Sequence, residues 1–205
     1  APSLPDGLIL EIDGYLTSRP YVAMTLEMMA QCGISHSWVE DVITISSQDF
    51  KERLLYIEPD WSAASYWYSM VALSDHGKIT LPGLRASSLQ GDQQISLIME
   101  KLGVSTTFTE AGIMIEKKGV AKRDIDLDLI NCPDLAQTLI VCCAALGINA
   151  TFKGLETLKI KETDRVLALQ NELSKMGFNS PVFRSWMSAK LNRVSYKAPT
   201  GVYLN

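Results

Sequence analysis

The sequence predicts an α/β fold built from repeated βαβαββ-type units, with helices parallel to one another and mixed four-stranded sheets. Three observations carry that prediction. Three segments share one glycine-centred pattern, two further helices open with Pro-Asp, and short strand-like runs lie between them. Gly14, Gly83 and Gly154 anchor the repeat at separations of 69 and 71 positions.

Taken in chain order, the first copy starts as Leu10-Glu11-Ile12-Asp13-Gly14-Tyr15-Leu16 and passes through Ser18 into an apolar-periodic stretch that ends at Gly33. Pro59-Asp60 then opens a helix over Ser62 to Leu73. The second copy, Ile79-Thr80-Leu81-Pro82-Gly83-Leu84, passes Ser88 and Asp92 into a helix with Ile95, Ile98, Met99 and Leu102 at i, i+3, i+4 and i+7, and stops at Gly103. Thr106 to Thr109, Gly112 to Glu116 and Asp124 to Leu129 read as strands. Pro133-Asp134 opens the helix Leu135 to Leu146. The third copy, Ala150-Thr151-Phe152-Lys153-Gly154-Leu155, runs through Lys161 and Asp164 to Gly177. Each copy reads as a strand, a Gly turn, a polar helix start, an amphipathic helix and a Gly stop.

The 205 residues allow one large domain or two modest ones, and 47% hydrophobic with 20% charged residues is a globular balance that excludes disorder. A net charge of −4 supplies no basic field for a polyanion, so nucleic acid is not an expected partner. No apolar run reaches the roughly 20 residues of a membrane-spanning helix, and no membrane partner is expected. Cys32, Cys132, Cys142 and Cys143 lack zinc-knuckle or redox spacing and read as reduced cysteines of a cytoplasmic protein. His36 and His76 read as surface or turn residues, and no metal is expected. The chain begins Ala1-Pro2-Ser3, with no initiator Met, basic leader or signal-peptide core, and is expected to be part of a longer product.

Helix starts collect unpaired N–H groups and partial positive charge, so several converging starts would bind anions. Ser18, Ser88 and Asp134 stand at such starts, although each alone reads as an ordinary cap. The densest constellation is Lys159-Ile160-Lys161-Glu162-Thr163-Asp164-Arg165. Composition makes it a solvated charged turn. Equally, Lys161 and Arg165, four apart on one face once a helix begins, could hold phosphate and carboxylate groups while Glu162 transfers a proton.

Five motifs agree in order and spacing with one family. They are Ser18-Arg19-Pro20-Tyr21 followed by Met24-Thr25-Leu26; Glu58-Pro59-Asp60 with Ser62-Ala63-Ala64-Ser65-Tyr66; Gln90-Gly91-Asp92; Pro133-Asp134 with Thr138; and Lys161-Glu162-Thr163-Asp164-Arg165. From about Gly7 to Gly177 the chain resembles the 5-enolpyruvylshikimate-3-phosphate synthases, within the enolpyruvyl transferase family. The resemblance implies an inside-out α/β barrel architecture, incomplete here, in a chain about twice as long whose two domains of three repeats close over a cleft. Residues 1–57 would be the last repeat of the first, shikimate-side domain, and 58–205 two repeats plus an atypical tail of the second.

The reaction so implied adds the 5-hydroxyl of shikimate 3-phosphate to carbon 2 of phosphoenolpyruvate, protonates carbon 3, and then eliminates phosphate, without metal or cofactor. Ser18 and Tyr21 match positions that bind the shikimate phosphate. Asp134 matches the carboxylate that holds the ring hydroxyls and is the implied base for the 5-hydroxyl. Lys161 matches a lysine near that hydroxyl, Glu162 the acid for carbon 3, and Arg165 an arginine on phosphoenolpyruvate. Asp164 reads as a structural partner of an arginine, and Gln90-Gly91-Asp92 as the setter of the matching turn one repeat earlier. The implied full-length enzyme is monomeric.

Departures accompany the match. The family's Ser-Lys-Ser, Asn-Ala-Gly-Thr and Ser-Ser-Gln segments fall before Ala1, and Ser46-Ser47-Gln48 follows the Ser18–Tyr21 motif where the triplet should precede it. Thr157 stands where relatives have Asn or another polar residue. After Gly177 the Asp-His-Arg segment and the late lysine are missing. The fragment is therefore expected to be inactive alone. Two other readings are a noncatalytic α/β repeat module that binds an anion or a protein, and a relative of the UDP-N-acetylglucosamine enolpyruvyl transferases. The second is disfavoured because that family lacks the Ser-Arg-Pro-Tyr and Lys-Glu-Thr-Asp-Arg runs.

Overall fold

The computed structural model describes residues 1–178 and the backbone of 193–196. The chain divides into two compact units, Ala1–Glu58 and Pro59–Asn205.

The first unit holds β1 (Leu8–Glu11), α1 (Arg19–Gln31), β2 (His36–Val39) and β3 (Val42–Ile45). β2 and β3 form a hairpin, and β3 pairs antiparallel with both β1 and β2, giving the order β1-β3-β2. Pro20 in the first turn of α1 needs no donor there, and Gly33 with φ +82° follows the helix end. Leu26, Ile34, Ile43 and Ile45 form a small core with Leu8, Val22 and Met29 packed against it. Gln48 closes the unit: its side chain accepts from Ser35 N at 2.8 Å and donates to Ser35 O at 2.7 Å. Ser46-Ser47-Gln48 thus has a structural task here.

The second unit opens with α2 (Trp61–Leu73), capped by the Asp60 carboxylate on Ser62 N at 2.8 Å. β4 (Lys78–Pro82), α3 (Ile95–Glu100), β5 (Val104–Thr109) and β6 (Gly112–Lys117) follow. Their sheet runs β4-β6-β5, antiparallel throughout, and so repeats the strand–helix–hairpin topology of the first unit. β7 (Asp124–Asp128), α4 (Ala136–Ala145) and β8 (Asn149–Lys153) then make a parallel crossover. α5 (Arg165–Lys175) comes next, and β9 (Arg193–Tyr196) pairs antiparallel with β8. Alternating burial along β7 and β8 turns Ile125, Leu127, Ala150 and Phe152 into a core shared with Trp61, Tyr68, Leu139 and Cys143.

Two expectations change. Among the described residues each sheet has three strands where four are expected, and only the third is mixed. In the first two sheets the hairpin strand inserts between the two strands joined by the helix, so every neighbour is antiparallel. Residues 51–60, the place for a strand before α2, carry no ladder; Leu54, Tyr56 and Ile57 are exposed. Also, His36 lies in β2 and is partly buried, whereas His76 is an exposed turn residue. Cys32, Cys132, Cys142 and Cys143 are all free thiols, with burial pushing Cys132 and Cys143 up to about 12. No helix among the described residues is long and apolar enough to cross a membrane.

Candidate active site

Two segments build the densest polar site of the second unit. Pro133 and Asp134 sit in a 3₁₀ turn just ahead of α4, and Lys161 to Asp164 form the bend just ahead of α5. Asp164 caps α5, its carboxylate accepting from Leu167 N at 3.0 Å. That corrects its expected role, since the partner is the helix start and not an arginine. α5 begins only at Arg165, so Lys161 and Arg165 are not joined by helical spacing. Asp134 joins them instead. Its Oδ1 lies 2.8 Å from an Arg165 guanidinium nitrogen and 3.4 Å from Lys161 Nζ.

Arg165 has its side-on fork on Glu162, with Nε to Oε1 at 2.8 Å and the second terminal nitrogen to Oε2 at 2.9 Å. The Arg165 hydrogen bonds, with the nearby Arg165 and Lys161 charges, hold the Glu162 carboxyl below its ordinary value. In return, the Glu162 pairing raises the Arg165 guanidinium. Two cations and two carboxylates therefore balance one another. At 24% exposure for Arg165 and 65% for Glu162, this pair is solvent-screened, and its worth lies in orientation more than stability. The cluster borders a cleft of about 580 Å³ lined by Ser62, Tyr66, Asp134, Gln137, Glu162, Arg165, Ala168, Leu169 and Glu172.

Ser18 and Tyr21 lie in the first unit. Ser18 holds the left-handed conformation, φ 57° and ψ 32°, at the α1 start, and its hydroxyl does not cap the helix. Such a backbone costs an L-residue about 1–2 kcal/mol. Ser18 O accepts from Tyr21 N at 2.9 Å, and Arg19 stacks on Trp38 at 3.9 Å. Ser18 and Tyr21 line a cleft of about 570 Å³ whose walls include Leu8, Leu10, Val22 and Met29 but neither Lys nor Arg. In the second unit, Gln90 and Asp92 seat the start of α2. Gln90 accepts from Trp61 N at 2.8 Å and donates to Pro59 O at 2.8 Å, and Asp92 accepts from the Ser62 hydroxyl. Sequence reasoning placed Gln90-Gly91-Asp92 at a turn of its own repeat and missed this link to α2.

Comparison with known proteins supplies what the geometry leaves open. The family model described as EPSP synthase (3-phosphoshikimate 1-carboxyvinyltransferase) matches residues 1–196. The chain belongs to the EPSP synthase family. A 3-phosphoshikimate 1-carboxyvinyltransferase of Bacteroides fragilis strain YCH46 is 44% identical over 178 residues, which are 86% of this chain and 43% of the relative. The namesake of Methanospirillum hungatei JF-1 is 32% identical over 183 residues, 86% and 42% of the two chains. The chloroplastic enzyme of Nicotiana tabacum is 31% identical over 187 residues, 86% and 36%. An EPSP synthase structure from Acinetobacter baumannii superposes with a TM-score of 0.66 at 16% identity, covering 96% of this chain and 44% of that one; a second from the same organism gives 0.64 at 15%, with the same coverage. These structures show a shared fold. The chain thus spans less than half the length of the curated relatives it matches.

The family match runs to residue 196 and not only to Gly177, which corrects where the likeness was expected to stop. β9, at 193–196, falls within the matched residues and pairs antiparallel with β8. The rest of the expected atypical tail, 179–192 and 197–205, lies outside the described residues.

Proposed function

We propose that this chain is part of an enzyme that transfers the enolpyruvyl group of phosphoenolpyruvate to the 5-hydroxyl of shikimate 3-phosphate. The observation that carries the reading is the convergence of Asp134, Lys161, Glu162 and Arg165 beside one cleft, from segments that carry the family's motifs. In the proposed reaction the 5-hydroxyl oxygen bonds to carbon 2 of phosphoenolpyruvate while its proton passes to Asp134. Lys161, beside Asp134, stabilises the negative charge on the attacking oxygen. Glu162 delivers a proton to carbon 3. Phosphate then leaves carbon 2 with the bonding pair and takes the proton held by Asp134, while carbon 3 returns its proton to Glu162, which restores the double bond.

Glu162 is a depressed carboxylate in the structure, whereas an acid must hold a proton. The arginine fork resolves this. A phosphoenolpyruvate carboxylate on Arg165 replaces Glu162 there, removes the largest of the interactions that lower it, and leaves it better able to take up a proton before transfer. No group beyond the two substrates is required. Ser18 and Tyr21 are proposed for the shikimate phosphate; the left-handed Ser18, whose hydroxyl is not spent on capping, supports that role.

Residues 1–57 are proposed as the last repeat of a first domain, and 58–205 as two repeats and a tail of a second, in an inside-out barrel arrangement. Support comes from the shared β1-β3-β2 and β4-β6-β5 topologies and from Gly14, Gly83 and Gly154, whose φ values of 79°, 80° and 73° coincide at the three repeat positions. The complete enzyme is proposed to act as a cytoplasmic monomer.

Lys161 and Lys159 separate this reading from a merely solvated charged turn. In a protein of the relatives' full length that carries this chain, Lys161→Ala lowers kcat by about 10²-fold or more, whereas Lys159→Ala changes it less than about threefold. Phosphate release measures both. Equal effects remove the residue assignment; no turnover in the unsubstituted protein removes the function.

A further inference from the structure

Ser62 stands at the second position of α2 and borders the same cleft as Asp134 and Arg165. Its backbone N–H is already taken by the Asp60 cap, so its presence there is not explained by helix capping. Its hydroxyl donates its hydrogen to Asp92, a carboxylate with 0% exposure. A serine hydroxyl has one hydrogen to give and two lone pairs. With the hydrogen committed to Asp92, only acceptor capacity is left for a ligand. Such an oxygen suits a hydroxyl or N–H group and repels the oxygens of a phosphate or carboxylate.

The cleft therefore has two kinds of wall. Arg165 suits anions, while Ser62 and the Asp134 carboxylate suit hydrogen-bond donors. On shikimate 3-phosphate the donors are the 4- and 5-hydroxyls. The 5-hydroxyl must lose its proton during reaction and needs a carboxylate. The neighbouring 4-hydroxyl keeps its proton and is matched by a neutral, weakly basic acceptor.

We propose that Ser62, held by the buried Asp92 as an acceptor-only hydroxyl, receives the 4-hydroxyl of shikimate 3-phosphate and is a specificity residue of this site. The inference rests on the proposed function. Ser62 touches substrate, and Asp92 is a positioning residue that acts through it.

The test is binding of shikimate 3-phosphate and of its 4-deoxy analogue, by calorimetry, to a protein of the relatives' full length that carries this chain. Ser62→Ala is expected to weaken shikimate 3-phosphate binding about 3- to 10-fold, the range for one neutral hydrogen bond, and to leave 4-deoxy binding unchanged. Ser62→Thr, which keeps the hydroxyl, restores the affinity. Asp92→Asn weakens shikimate 3-phosphate binding in the Ser62 background and has little further effect in the Ser62→Ala background. Phosphoenolpyruvate KM stays constant in the Ser62 variants, because Arg165 is untouched. If Ser62→Ala weakens both ligands equally, or neither, the Ser62 assignment is overturned while the proposed function stands. If the unsubstituted protein binds neither ligand, the proposed function fails and takes this inference with it.

Discussion

Arg165 can offer its side-on fork to one carboxylate at a time, and in the structure Glu162 holds it. Replacing Glu162 by Gln keeps the size and hydrogen bonding of the side chain but deletes both the acid and the competing charge. In a full-length protein carrying this chain, kcat should fall about 10²- to 10⁴-fold, the usual range for a positioned proton donor, while phosphoenolpyruvate KM stays level or falls. A kcat within threefold of the unsubstituted enzyme would remove Glu162 from the proton path. The same pair fixes a pH effect. Because the folded carboxyl is lowered, its stabilising contribution is complete above an ordinary glutamate's value of about 4.3 and is lost as pH falls through the lower folded value. A carbon-13 titration of Glu162 should give a midpoint below that of free glutamate, moving up towards it in Arg165→Ala. A midpoint indifferent to Arg165 would show that the ion pair is not populated in solution.

At the scale of elements, one glycine position in the repeat carries two different burdens. Gly14 and Gly154 share a left-handed φ, but a Cβ on Gly14 would meet open space, whereas on Gly154 it would run into the Ile130 backbone beside Asp128. Gly14→Ala should therefore cost about 1–2 kcal/mol from the backbone conformation alone, and Gly154→Ala clearly more, as a drop in the thermal midpoint read by circular dichroism. Equal drops would mean that the strand-end turn shifts freely. The turn glycines and the helix stops at Gly33, Gly103 and Gly177 were legible in the sequence because left-handed backbone selects glycine. α2 and α4 were legible within a residue or so from Pro-Asp openings and apolar density. Less legible was the joining of Asp134 to Lys161 and Arg165, since nothing local in sequence brings 134 to 165 and only the family motifs linked them. Ala168, Leu169 and Glu172 were missed as cleft walls, although with Arg165 they fall at i, i+3, i+4 and i+7, the signature of one helix face. Ser62 was quoted in a motif without a role, because its direction depends on Asp92, 30 residues away, which no local pattern predicts.

For the whole molecule, charge decides what 205 residues can do alone. The two proposed substrates together carry two phosphates and two carboxylates, while the described site offers Lys161 and Arg165, both already balanced by Asp134 and Glu162. The cleft beside Ser18 and Tyr21 has no Lys or Arg in its walls. A phosphate placed there would be desolvated without a Lys or Arg partner, an arrangement that costs free energy where a complete site would gain it. Neither substrate would be held against the other, and the loss of positioning in a two-substrate reaction is worth roughly 7 to 11 kcal/mol in well-oriented systems. The 205-residue chain by itself should therefore release no measurable phosphate from phosphoenolpyruvate and shikimate 3-phosphate, and should bind inorganic phosphate weakly at most, through Lys161 and Arg165. Turnover should appear when the chain is part of a protein of its relatives' length, of which it covers 43% in the Bacteroides fragilis case. Phosphate release by the purified chain at a rate near that of the longer protein would show that the cations seen here suffice, and would overturn the charge argument along with the reading of this chain as part of a site.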